Sequence, residues 1–164
     1  MDVTVREHTE RDLEQMLEIW NEVVHTGNAF PQTEPLTITE ATSFFSCEQS
    51  FTGVAESNST KEILGLYILH PNNVGRCGHI SNASYAVHTT ARGRGIGEKL
   101  VLHSVEKSRE LGFRILQFNA VVKTNYSAIS LYEKLGFVRL GTIPGGFLMK
   151  DGRYEDIVPF YLTL

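Results

Sequence analysis

At 164 residues, 41% of them apolar, the chain is long enough to bury a sizeable core and is expected to form one domain spanning residues 1–164. A formal charge of −4, with basic residues scattered apart from one short cluster, argues against nucleic acid as a partner, and no apolar run approaches the roughly 20 residues that cross a bilayer. Residues 1–12 are charged and lack the apolar stretch of a secretory signal, so a cytoplasmic protein is expected; Cys47 and Cys77, far apart and outside any C-x-x-C pattern, read as reduced thiols, and no metal is expected.

Residues 3–6 read as a first strand. Thr9 with Asp12 resembles a helix-start box, after which Leu13, Met16, Leu17, Trp20, Val23 and Val24 recur at helical spacing up to Gly27 and read as core packing. Residues 28–35 form a loop, and Thr37 with Glu40 opens another short helix. Two β-rich runs, 51–56 and 62–69, flank the polar residues 57–60 and predict a hairpin. A strand over 79–87, an amphipathic helix over 96–111 and a strand over 114–122 follow. A short helix is capped by Asn125 and ended by Gly136, strands are expected over 138–141 and 156–162, and 144–154 reads as a loop. No repeat, linker or low-complexity segment is evident.

The run Arg92-Gly93-Arg94-Gly95-Ile96-Gly97 joins a strand to a helix. A glycine-rich turn in that position leaves backbone N–H groups aimed outward, where the helix dipole adds positive charge; it is an anion cradle, reinforced by Arg92 and Arg94. The alternate glycines do not fit the dinucleotide pattern G-x-G-x-x-G. Lys99 after Glu98, and Leu100 where Ser or Thr would bind magnesium, do not fit a P-loop. What remains is R-x-x-G-x-G. The second segment, residues 125–137, reads N-x-x-A-x-x-x-Y-x-x-x-G-F through Asn125, Ala128, Tyr132, Gly136 and Phe137.

Together these two motifs, in this order and separated by a helix and a strand, resemble the GCN5-related N-acetyltransferase (GNAT) superfamily across essentially the whole chain. The resemblance implies a mixed α/β (α+β) fold: a central, mostly antiparallel sheet with one splayed parallel strand pair, flanked by about four helices. It implies acetyl-CoA as co-substrate, its diphosphate on Arg92, Gly93, Arg94, Gly95, Ile96 and Gly97, with Asn125 also at the cofactor and a backbone N–H at Val87 or a neighbour facing the thioester oxygen. Tyr132 occupies the family's acid position, and its phenol is matched to protonating a departing thiolate. A homodimer is the family-level expectation.

Gln117 and Asn119 share one strand face, and Asn82 shares another with Ile80, Ser84 and Ala86. Both strands are otherwise apolar and are expected to be buried, where amides need partners. Asn82 and Asn119 either satisfy backbone groups exposed by the splay or bind a polar substrate. The run from His79 to Ala83, with Phe118-Asn119 and Asn125, resembles small amino-acid N-acetyltransferases and in particular fungal acetyltransferases of proline analogues such as azetidine-2-carboxylate; in the fungal enzymes the asparagines at the two matching strand positions contact the substrate.

No carboxylate lies in residues 80–88, where many relatives place a base. A water relay organised by backbone carbonyls and Asn82 is therefore the first expectation, with Glu34 and His79 behind it. Phe30, Glu34 and Tyr85 are candidate acceptor-site residues, with Phe147 and Tyr154 as further wall aromatics that by default belong to the core. The expectation is an acetyl-CoA-dependent N-acetyltransferase acting by direct attack on a small amine, an amino acid or a toxic analogue of one. A peptide or protein acetyltransferase would need an open groove, which loops 28–35 and 144–154 are long enough to close. A non-catalytic acyl-CoA sensor is opposed by Tyr132.

Overall fold

Both helix-start boxes form. Asp12 accepts from the Thr9 N–H at 2.8 Å and closes a 3-10 turn, Glu10–Asp12, that runs into α1 (Leu13–Thr26). Glu40 accepts from the Thr37 N–H at 2.8 Å and opens α2 (Ile38–Phe45). The computed structural model describes residues 2–164. Around these helices run β1 (Val3–Glu7), the β2 (Phe51–Ser57) and β3 (Ile63–Pro71) hairpin, and β4 (Ile80–Val87). Then come α3 (Ile96–Glu110), β5 (Ile115–Val122), α4 (Tyr126–Lys134), β6 (Val138–Arg139), β7 (Ile143–Leu148) and β8 (Tyr154–Thr163).

The sheet order is β1-β2-β3-β4-β5-β8-β6, with β7 also paired to β8. Every pairing is antiparallel except β4 with β5. Alternation along β3 divides the core: Tyr67 and Leu69 pack with Leu100 and Val105 of α3, while Leu66 and Ile68 pack with Met16, Trp20 and Phe45 of α1 and α2. Each such fully buried side chain contributes about 1.5–3 kcal/mol.

Residues 144–154, expected as a loop, instead contribute β7 and the turn into β8. Pro144 and the pair Gly145-Gly146 break the apolar alternation that identifies a strand. The irregularity is absorbed where the register shifts between Ile143↔Ile157 and Phe147↔Glu155. The strand expected over 138–141 is correspondingly short.

At the other end of the sheet, Arg6 holds Asp12 through two hydrogen bonds of 2.7 and 2.9 Å and also bonds Glu56. Burial alone would push the Asp12 carboxyl up. The hydrogen bonds from Arg6 and Thr9 outweigh it and hold the group at about 2.

The feature that positions the site is the parallel pair. β4 and β5 are eight residues each, yet they pair only at Ile80↔Ile115, Ser81↔Leu116 and Asn82↔Gln117. Beyond Asn82 they diverge.

Candidate active site

Divergence leaves backbone groups open. His88 donates to Leu64 at 3.0 Å, so the even residues of β4 bond to β3 and the N–H and C=O of Tyr85 and Val87 point the other way, into the gap. A short 3-10 turn, Thr89–Ala91, leads from there to the glycine turn. Gly93 and Gly95 adopt φ of 72° and 77°, and a Cβ built on either would meet no atom within 4 Å. Among the described residues, the N–H groups from Gly93 to Glu98 have no acceptor. Unpaired N–H groups at a helix start are the geometry that an anion cradle would require, and Gly95 is the N-cap of α3. Arg92 turns back toward the Val87 carbonyl at 3.4 Å.

Between the diverging strands lies a cavity of ≈ 200 Å³. β4 contributes Asn82, Ala83, Ser84 and Tyr85, and β5 contributes residues 118–122. α4 supplies Ala128 and Tyr132, Asn125 stands at its cap, and Ala29, Phe30 and Pro31 close one side. The lining carries no carboxylate, ammonium, guanidinium or imidazole. A larger and more open depression along α1, lined by Glu18, Asn21, Glu22, His25 and Thr26, holds none of the expected site residues.

Tyr132 reaches the cavity from α4, its ring 4.4 Å from Phe118 and 5.8 Å from Phe160 between centroids. Burial pushes its phenol above the usual value. Asn82 is buried, and its Nδ2 donates to the Gln117 carbonyl at 3.0 Å. That bond serves the backbone at the splay, one of the two roles the sequence left open. Its Oδ1 makes no hydrogen bond among the described residues. Asn125 caps α4 by accepting from the Ala128 N–H at 3.3 Å.

Asn119 is exposed rather than buried. Pro159 of β8 has no N–H to give the ladder, and the register passes from Phe118↔Phe160 to Val121↔Val158, leaving Asn119 and Ala120 opposite it. Asn119 therefore joins a chain of amides at the cavity mouth, accepting from Gln117 Nε2 at 2.9 Å and donating to Asn72 Oδ1 at 2.7 Å. No sequence signal marked Asn72, which sits in a turn where asparagine is ordinary.

Tyr85 borders the cavity, but its hydroxyl is bonded to Ser104 at 2.7 Å and its ring packs against α3. Glu34 and His79 are exposed and outside the lining. Phe147 is buried beside Val122 and Ile157, and Tyr154 is exposed on β8.

The sequence model of the Acetyltransferase (GNAT) family matches residues 13–137, which span α1 to the end of the second motif. The chain belongs to the GNAT family. This GNAT protein is accordingly an acetyl-CoA-dependent N-acetyltransferase. It is 31% identical to N-acetyltransferase aca1 of Schizosaccharomyces pombe over 156 residues, 87% of this chain and 74% of the relative. It is 26% identical to the L-methionine sulfoximine/L-methionine sulfone acetyltransferase of Pseudomonas aeruginosa, over 100% of this chain and 96% of the relative. The GNAT superfamily phosphinothricin acetyltransferase of Sinorhizobium meliloti, solved in complex with AcCoA, superposes with a TM-score of 0.90 at 25% identity, covering 100% of this chain and 89% of that one.

Proposed function

We propose that this GNAT enzyme acetylates the amino group of a free small amino acid or amino-acid analogue, by direct attack within a ternary complex. The observation that carries the reading is the uncharged cavity in the splay, where the Asn82 and Asn119 amides and Tyr132 meet beneath Phe30. The acceptors for which the Pseudomonas and Sinorhizobium relatives are named, methionine sulfoximine, methionine sulfone and phosphinothricin, support the same class.

In this reading the cradle from Arg92 to Gly97 holds the diphosphate of acetyl-CoA, and Asn125 stands beside the cofactor. The inward N–H of Val87 donates to the thioester oxygen, where negative charge develops. The neutral amine nitrogen attacks the carbonyl carbon, the carbon–sulfur bond breaks, and the departing thiolate takes the phenolic proton of Tyr132. The amine's own proton leaves through water, for which Asn82 Oδ1 is the open acceptor, and a proton from solvent then restores the Tyr132 phenol. Asn119 retains an amide hydrogen for the acceptor carboxylate, a charge-assisted contact.

Unpaired, exposed Cys47 and Cys77 fit a cytoplasmic enzyme, and exposed Val138, Leu140, Ile143 and Leu148 along β6, β7 and their connection fit a homodimer. The test is thiol release from acetyl-CoA across amino acids, their toxic analogues, polyamines and peptides. Turnover confined to free amino acids and analogues is expected; turnover confined to peptides would overturn the reading.

A further inference from the structure

Phe30 closes one side of the cavity from a loop, residues 28–35, that is otherwise largely exposed. An eight-residue loop has little hold of its own on a position. Phe30 is 7% exposed, with its ring centroid 4.2 Å from that of Trp20. Both ends of the loop are tied by residues distant in the chain. At the entry, Lys150 in the β7–β8 turn donates its Nζ to the His25 carbonyl at 2.7 Å and its N–H to the Gly27 carbonyl at 3.3 Å. The approach is close: a Cβ on Gly27 would lie 2.7 Å from Lys150 Cβ, and Gly27 has a φ of 67°. At the exit, the Asn21 side chain completes both backbone bonds of Leu36, accepting from its N–H at 2.8 Å and donating to its carbonyl at 2.9 Å.

We infer that Asn21 and Lys150 are positioning residues for acceptor selection, clamping the two ends of residues 28–35 so that Phe30 sets the size of the acceptor site. This rests on the amino-acid reading only for the identity of the acceptor. Among the described residues, the hydrogen bonds of the two clamp side chains go to Leu36 and His25, not to the cradle or Tyr132. The turn before β8 thus acts on the site without lining it. Lys150 also places a positive charge on the last carbonyls of α1, which by itself would stabilise the helix. A purely structural role and a positioning role separate in the kinetics.

The test compares the native enzyme with Asn21→Ala, Lys150→Met and Lys150→Arg. Asn21→Ala and Lys150→Met should raise acceptor KM by about tenfold or more and narrow the preference for small over bulky acceptors, because small misplacements of a positioning wall weaken productive binding. Acetyl-CoA affinity by calorimetry should stay within about twofold, since the cradle is untouched. Lys150→Arg should recover most of the acceptor KM. Trp20 is the only tryptophan, so acrylamide quenching of its emission should rise in both disruptive variants, independently of turnover. Equal losses in acceptor KM, acetyl-CoA affinity and melting temperature would overturn the inference, as would unchanged acceptor KM and quenching. If the native enzyme acetylates no amino acid but does acetylate another amine, the amino-acid reading falls, and the clamp is judged on that amine's KM and on quenching.

Discussion

Asn82 Nδ2 donates to the Gln117 carbonyl at 3.0 Å, at the last register point where β4 and β5 still pair. The bond closes the fork from which the cavity opens, and the same residue lines that cavity. Asn119, two residues along β5 from Gln117, is exposed at the mouth and holds no backbone group.

The two asparagines therefore separate experimentally. Asn82→Ala leaves a carbonyl without its partner, so unfolding free energy should fall by about 1–3 kcal/mol along with kcat. Asn119→Ala should leave stability within about 0.5 kcal/mol, as for other exposed positions. It should lower kcat/KM for a free amino acid about 10- to 100-fold, and much less for the matching amine without a carboxylate. Denaturant melts and the ratio of kcat/KM values for the two substrates check both.

Gly95→Val should weaken acetyl-CoA binding by at least about 100-fold, because its side chain would project into the open space over the unpaired N–H groups, at a φ that disfavours it. Calorimetry against acetyl-CoA, with circular dichroism to confirm the fold, measures this. Native-like affinity in a folded variant would remove the cradle from cofactor binding.

Tyr132→Phe should reduce kcat by about 10²–10⁴-fold with little change in acetyl-CoA affinity. Burial raises the phenol above its usual value. The kcat profile of the native enzyme should therefore show no loss of an enzymic acid up to about pH 10.

Asp12 should make the stability of the fold acid-sensitive. Its folded pKa of about 2 lies below the model-compound value of 3.8, so its contribution is present above the unfolded pKa and is lost as pH falls through the folded one. About 2 kcal/mol of stability should disappear over that window. Urea titrations at pH 5, 4, 3 and 2 should show the fall in the native protein and a shallower one in Asp12→Asn.

The sequence by itself determined what depends on near neighbours. The boxes Thr9–Asp12 and Thr37–Glu40, the Asn125 cap and the glycine turn before α3 are each written within a few residues, because caps and turns are satisfied by backbone groups that close in sequence. The two motifs carried the family and its co-substrate for the same reason. Tertiary structure decided what depends on register between distant strands. Strand pairing ends at Asn82, Pro159 forces the β5 irregularity that turns Asn119 to solvent, and β8 makes a strand of a segment that Pro144 and two glycines disguise. It also decided membership of the cavity: Phe30, Asn82 and Tyr132 converge on it, Glu34 does not, and Tyr85 gives its hydroxyl to Ser104. Side-chain alternation identifies a face, but only the packing of helices and loops across that face selects which of its residues meet a ligand.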